Sequence, residues 1–139
     1  MFRVLDADSP ISKEDFLQFE EILGKKLPKT MLDFYLKHNG GQPQVRGVHD
    51  EHHLFPFNSF DSLDEMRKSL KWFDDEAVPA GFKGTDLLHF AYDPGSGNYA
   101  LSLRAEDYGK VYFYVLEEKA ELYGQWPSFE DFLNSFVEE

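Results

Sequence analysis

The run Phe90-Ala91-Tyr92-Asp93-Pro94-Gly95-Ser96-Gly97-Asn98-Tyr99-Ala100-Leu101-Ser102-Leu103 restricts the fold of this chain more than any other stretch. It reads as strand, tight turn, strand. Proline fixes φ in the turn, aspartate bonds its own backbone, and the glycines supply freedom between two apolar runs. Strands are expected over 87–92, 98–103 and 110–116, the last following the turn Ala105-Glu106-Asp107-Tyr108-Gly109. Alternation is clear in the second and third. Tyr99, Leu101 and Leu103 face one way and Val111, Phe113 and Val115 match them, while Asn98, Ser102, Arg104, Tyr112 and Tyr114 face the other. An antiparallel meander follows from this pattern.

Helices flank it. Leu27-Pro28 opens one that runs to Asn39-Gly40-Gly41, with Met31, Leu32, Tyr35 and Leu36 on its apolar face. Proline suits a first helical position, and Asn-Gly-Gly suits an end that turns through left-handed backbone. Upstream, Ser12 with Asp15 reads as an N-cap, and Phe16, Phe19, Ile22 and Leu23 recur at helical spacing until Gly24. Ser62 and Glu65 form a capping box before Leu63, Met66, Leu70 and Phe73. Asp74-Asp75-Glu76 would oppose the dipole of that helix and fray its end. A last helix starts at Ser128 and carries Phe129, Phe132, Leu133 and Phe136 on one side. Short strands are expected at 44–48 and 54–57, the second held at a sheet edge by Pro56. Residues 77–84 read as loop. The order is α+β: an antiparallel β-sheet meander with N-terminal helices and a C-terminal helix packed on it, as a single domain over 1–139.

A chain of 139 residues can bury a full core without metal or disulfide staples, and 14 Phe, 7 Tyr and 2 Trp supply bulky filling. There is no Cys, so neither a disulfide framework nor a thiolate metal site is available, and a cytoplasmic setting is expected. The N-terminus lacks a basic stretch followed by an apolar run, which argues against a signal peptide. No apolar run reaches membrane-spanning length, so no membrane partner is expected. The formal charge of −12 is uneven: residues 71–139 hold 14 acids and 5 bases, net −9, against −3 for residues 1–70. Nucleic acid is disfavoured as a partner, because phosphate contacts need Lys and Arg. A basic protein partner fits the second half. The plainer alternative is that the acids serve solubility.

Several segments resemble the SUKH superfamily, which includes bacterial toxin-immunity proteins and a fungal regulator of cell-wall synthesis. They are Phe19-Glu20-Glu21-Ile22-Leu23-Gly24, Leu27-Pro28, Phe34-Tyr35-Leu36 and Asn39-Gly40-Gly41, then Leu88-His89-Phe90-Ala91-Tyr92-Asp93 and Gly97-Asn98-Tyr99. Leu101-Ser102-Leu103, Gly109-Lys110-Val111-Tyr112-Phe113-Tyr114 and Ser128-Phe129-Glu130-Asp131-Phe132-Leu133 complete the ordered set; residues 42–84 carry little of it. The resemblance implies an α+β domain and a non-catalytic binding protein, one that neutralises a toxin, often a nuclease, encoded beside it. It also implies an acidic or His-containing turn after the strand that begins Gly-x-Val-Tyr; here that place reads Val115-Leu116-Glu117-Glu118. A regulatory protein-interaction module is the alternative within binding functions.

The chemistry-bearing candidates are few. His49-Asp50-Glu51-His52-His53 could ligate a metal and serve a hydrolase, but the spacing is not His-Glu-x-x-His on a helix. His38 at a helix end needs no more than the dipole. Gly95-Ser96-Gly97 joins strands and does not open a helix, so it is a turn and not a phosphate loop. Asp93 and Asp107 fall in successive hairpin turns at opposite ends of the shared strand, which excludes a paired acid–base role. No Ser sits in a nucleophile elbow. No catalytic residue, cofactor or metal is expected. The expected partner contacts are Glu106, Asp107 and Tyr108 in one turn and Asp93 and Asn98 by the other. Tyr112 and Tyr114 join them if their sheet face is open; Phe129, Phe132 and Phe136 must bury somewhere, which favours cover of that face by the last helix.

Overall fold

The computed structural model describes residues 2–137. In chain order it contains β1 (Val4–Leu5), α1 (Lys13–Leu23), α2 (Lys29–Lys37), β2 (Gln42–Pro43), β3 (Gly47–His49), β4 (Leu54–Pro56), β5 (Ser59–Phe60) and α3 (Leu63–Ser69). Then come β6 (Leu87–Tyr92), β7 (Gly97–Ser102), β8 (Val111–Leu116), β9 (Ala120–Trp126), α4 (Phe129–Leu133) and β10 (Phe136–Val137). The main sheet is fully antiparallel in the order β5-β6-β7-β8-β9. Small sheets β1-β2 and β10-β3-β4 sit beside it.

The helix signals act as expected. Ser12 with Asp15 and Ser62 with Glu65 each form a reciprocal capping box, and Gly24 closes α1 at φ 75°. Pro28, expected at the first helical position, stands one residue earlier, as the N-cap of α2. At the other end of α2 the expectation needs correcting. The helix stops at His38 in extended backbone, φ −139°, and the left-handed residues are Gly40 and Gly41, φ 81° and 108°. A Cβ on Gly40 would stand 2.7 Å from the Ser62 nitrogen, and one on Gly41 would stand 2.6 Å from the Leu5 carbonyl oxygen. Asn39 is buried between them in function: its Nδ2 donates to the Ser9 carbonyl and its Oδ1 accepts from the Leu63 N–H, both at 2.8 Å. Asn-Gly-Gly is thus a junction clamping the N-terminal segment to the start of α3.

One face of the sheet carries the main core. Leu88, Phe90, Tyr99, Leu101, Phe113 and Trp126 pack there against Phe16, Phe19, Met31, Phe34, Tyr35, Phe129 and Phe132 from α1, α2 and α4. Each such buried side chain contributes roughly 1.5–3 kcal/mol of transfer free energy. Four elements differ from expectation, the first being the strand expected over 44–48: the chain bends at Gln44 and Val45, between β2 (Gln42–Pro43) and β3 (Gly47–His49). α3 ends at Ser69, so Phe73 lies beyond it; Asp74 accepts from the Glu76 and Ala77 N–H groups and Asp75 from the Gly84 N–H, organising a loop where a frayed helix was expected. Phe136 is not on the last helix but in β10, paired with Val48 of β3. The meander has a fourth full strand, β9, that the alternation did not disclose.

The opposite sheet face is covered, but not by the last helix. Residues 70–86 lie over it, and Val78, Leu87, Ala100, Tyr112 and Tyr114 form a second small core with Phe73 and Phe82. The Phe73 ring stacks on His89 with centroids 3.5 Å apart. Tyr114 Oη donates to the Ala77 carbonyl at 2.9 Å, so the His89 Nε2 lying 2.5 Å from that oxygen is assigned the proton. Burial pushes His89 down to about 3, and the ring stays neutral.

Candidate interaction surface

Alternation placed Tyr112 and Tyr114 together on one face, and the register confirms it, but both are buried beneath residues 70–86. Their rings cannot meet a partner. Asp107 is likewise committed inward. Its carboxylate takes Arg104 Nε at 3.0 Å and Nη2 at 2.5 Å, Ser102 Oγ at 2.5 Å and Tyr112 Oη at 2.5 Å. Arg104 donates those bonds, lies 3.9 Å over the Phe82 ring, and reaches the Gly81 carbonyl. The Arg104 hydrogen bonds hold the Asp107 carboxyl far below the usual carboxylate range, against a smaller opposing effect of burial. This cluster fastens the covering segment to the sheet. In the same turn Glu106 is exposed, and Tyr108 is 46% exposed while its hydroxyl donates to the Lys26 carbonyl.

At the other hairpin, Asp93 is buried and accepts from the Gly95 and Gly97 N–H groups at 2.8 and 2.7 Å. It is the turn-forming aspartate that its sequence context describes, its Oδ1 taking both N–H groups. Asn98 is half-buried and donates to the Ser96 carbonyl. The structure therefore splits the expected contacts. Glu106, Tyr108 and Asn98 keep accessible atoms; Asp93, Asp107, Tyr112 and Tyr114 are structural.

A further exposed acidic surface lies at one end of the sheet. Leu116 N–H donates to the Ser96 carbonyl at 3.0 Å, which joins the turn before β9 to the Asp93 turn at one end of the sheet. Glu117 and Glu118 there are exposed, and among the described residues neither has an ion-pair partner. Glu121 on β9 is shared by Lys119 Nζ at 3.9 Å and Tyr123 Oη at 3.1 Å. Val115, Glu117, Glu118, Lys119, Glu121 and Tyr123 line a recess of about 230 Å³. β9 is the outer strand of the sheet. Its pairing jumps from Phe113↔Gly124 to Tyr114↔Leu122, so Tyr123 is an extra, bulged residue. Leu122 and Tyr123 are 45% and 51% exposed. A bulge re-aims side chains at a sheet edge.

A larger cleft, about 510 Å³, lies between His49–Glu51, Trp126 and Asp131–Ser135. Its groups face their neighbours: Trp126 Nε1 donates to the His49 carbonyl, and Ser128 Oγ to the Asp131 carboxylate. Asp50 accepts from the His52 and His53 N–H groups. Burial opposes its ionisation, but these backbone donors with that of Gln125 hold its carboxyl below the usual range. The His52 and His53 rings stand at 81° with centroids 6.2 Å apart. Among the described residues no three His, Cys, Asp or Glu side chains are grouped to hold a metal ion, and no helix is long and apolar enough to cross a membrane.

Helices on one face of an antiparallel sheet, an acidic sheet end and an open aromatic edge make up an α+β domain with an exposed surface at one end of its sheet. The SMI1 / KNR4 family (SUKH-1) model matches residues 10–135, and the chain belongs to that family of interaction and immunity modules, whose members are generally non-catalytic. A search of curated proteins finds no match.

Proposed function

We propose that this chain is an immunity protein that docks an acidic surface on a basic toxin domain encoded beside it and blocks access to that domain's substrate. It performs no chemistry itself. The observation that carries this reading is the sheet end at 117–121, where exposed Glu117 and Glu118 have no ion-pair partner among the described residues, Lys119 reaching Glu121 instead, beside an exposed Tyr123. Uncompensated charge in solvent favours steering and docking of an opposite charge. Family membership and the net −9 of residues 71–139 support it.

Co-expression tests the proposal. The toxin domain encoded by the neighbouring gene should arrest growth alone and lose that effect when this chain is present. No rescue, with the chain folded and abundant, contradicts the immunity reading. Recovery of a specific cellular protein instead would move the assignment to a regulatory interaction module.

A further inference from the structure

We propose that the open edge of β9 takes an extended, basic segment of the partner by strand addition, with one Lys or Arg side chain seated in the recess beside Tyr123. This inference rests on the protein-binding reading above and specifies how the binding is made. β9 pairs only with β8, and an unpaired strand edge is a template for another chain. One end of that edge is closed, since Phe55 packs under Gly124 and the Trp126 indole is bonded to β3. Residues 120–123 remain open. A strand added there alternates its side chains between the two sheet faces.

The two faces ask for different residues. Glu121 lies opposite Val115 on the main-core face, next to the recess with Glu117, Glu118, Lys119 and the Tyr123 ring; Lys119 is 3.9 Å from Glu121 and 79% exposed, so an incoming cation takes its place there at little cost. Carboxylates with an aromatic ring suit a cationic side chain. Leu122 lies opposite Tyr114 on the other face and is 45% exposed, so it suits an apolar one. The occupant is therefore a strand alternating basic and apolar residues. A second copy of this chain is excluded as occupant by charge, because its own Glu117, Glu118 and Glu121 would oppose themselves.

The probe is a blocked peptide of about eight residues alternating Lys and Val, near the usual strand length, with the same peptide carrying Glu for Lys as control. Amide shifts and hydrogen exchange are followed at low salt. The Lys peptide should shift the amides of 120–123 and slow exchange of the outward ones by about tenfold, a change equal to about 1.4 kcal/mol of protection. The Glu peptide should do neither. Glu118→Lys with Glu121→Lys should weaken binding of the Lys peptide by about tenfold with unchanged melting temperature, and Tyr123→Ala should weaken it with exchange of the core amides intact. No binding, binding that leaves 120–123 unprotected, or equal binding of both peptides overturns the proposal. If the neighbouring toxin is neutralised but its complex leaves these amides exchanging as in the free protein, strand addition falls and the immunity function stands. If the Lys peptide protects the edge and no neighbouring toxin is neutralised, strand addition stands and the immunity reading falls.

Discussion

Asp107 occupies a polar turn, three residues after Arg104, and spends every lone pair inside the protein. Replacing it by Ala leaves Arg104, Ser102 and Tyr112 without their acceptor, and should cost about 3 kcal/mol; chemical denaturation checks this. Its depressed folded pKa adds stability that is present above the unfolded value, about 3.9, and is lost as pH falls below it. Asp61 acts in the opposite sense. Burial, and then Glu65, push its carboxyl up to about 7. Its contribution is therefore full below the unfolded pKa and declines as pH rises from about 4 to about 7. Asp61→Asn should remove that decline, raising stability at pH 8 by roughly 2 kcal/mol relative to pH 4 when compared with wild type. Melting curves across that range check it. A double reversal of Glu106 and Asp107 to Lys would confuse docking with folding, because only Glu106 is a free surface charge. The Arg-x-x-Asp spacing in a short turn was visible in the sequence, but nothing in it showed Tyr112 bending back to the same carboxylate.

At the scale of elements, two glycines separate conformation from packing. Gly24 and Gly41 both have positive φ, but a Cβ on Gly24 meets nothing within 4 Å while one on Gly41 strikes Leu5 backbone. Gly24→Ala should cost about 1 kcal/mol, the left-handed penalty alone; Gly41→Ala should cost about 3 kcal/mol, with overpacking added. Equal losses in denaturant titrations would refute the junction role of Asn39-Gly40-Gly41. The capped helices and the strands β6 to β8 were legible because caps and period-two alternation are local signals. β9 was not, since its bulge at Tyr123 breaks the alternation at Leu122-Tyr123. Phe129, Phe132, Leu133 and Phe136 keep helical spacing, but Phe136 reaches the same core from β10. Residues 70–86 have no period at all; they are placed by single anchors, Phe73 on His89 and Phe82 under Arg104. Hence the cover over Tyr112 and Tyr114, and with it the location of the free surface, could not be read from pattern.

For the molecule as a whole, charge and architecture divide the work. The N-terminal helices and α4 fill one sheet face, the loop after α3 closes the other, and the acidic excess of the second half emerges at loops, turns and the β9 edge. The net charge that motivates the proposed basic partner was legible; the acidic patch was not, because Asp93 and Asp107 carry the same formal charge as Glu117 and Glu118 and differ only in what they bond. The most direct test is the association rate with the neighbouring toxin domain at low and at physiological ionic strength, for wild type and for Glu117→Lys with Glu118→Lys. The wild-type rate should fall by about tenfold as salt rises, and the variant should associate slowly at both, with its melting temperature unchanged. An association rate indifferent to salt and to the reversal would contradict docking through this acidic surface.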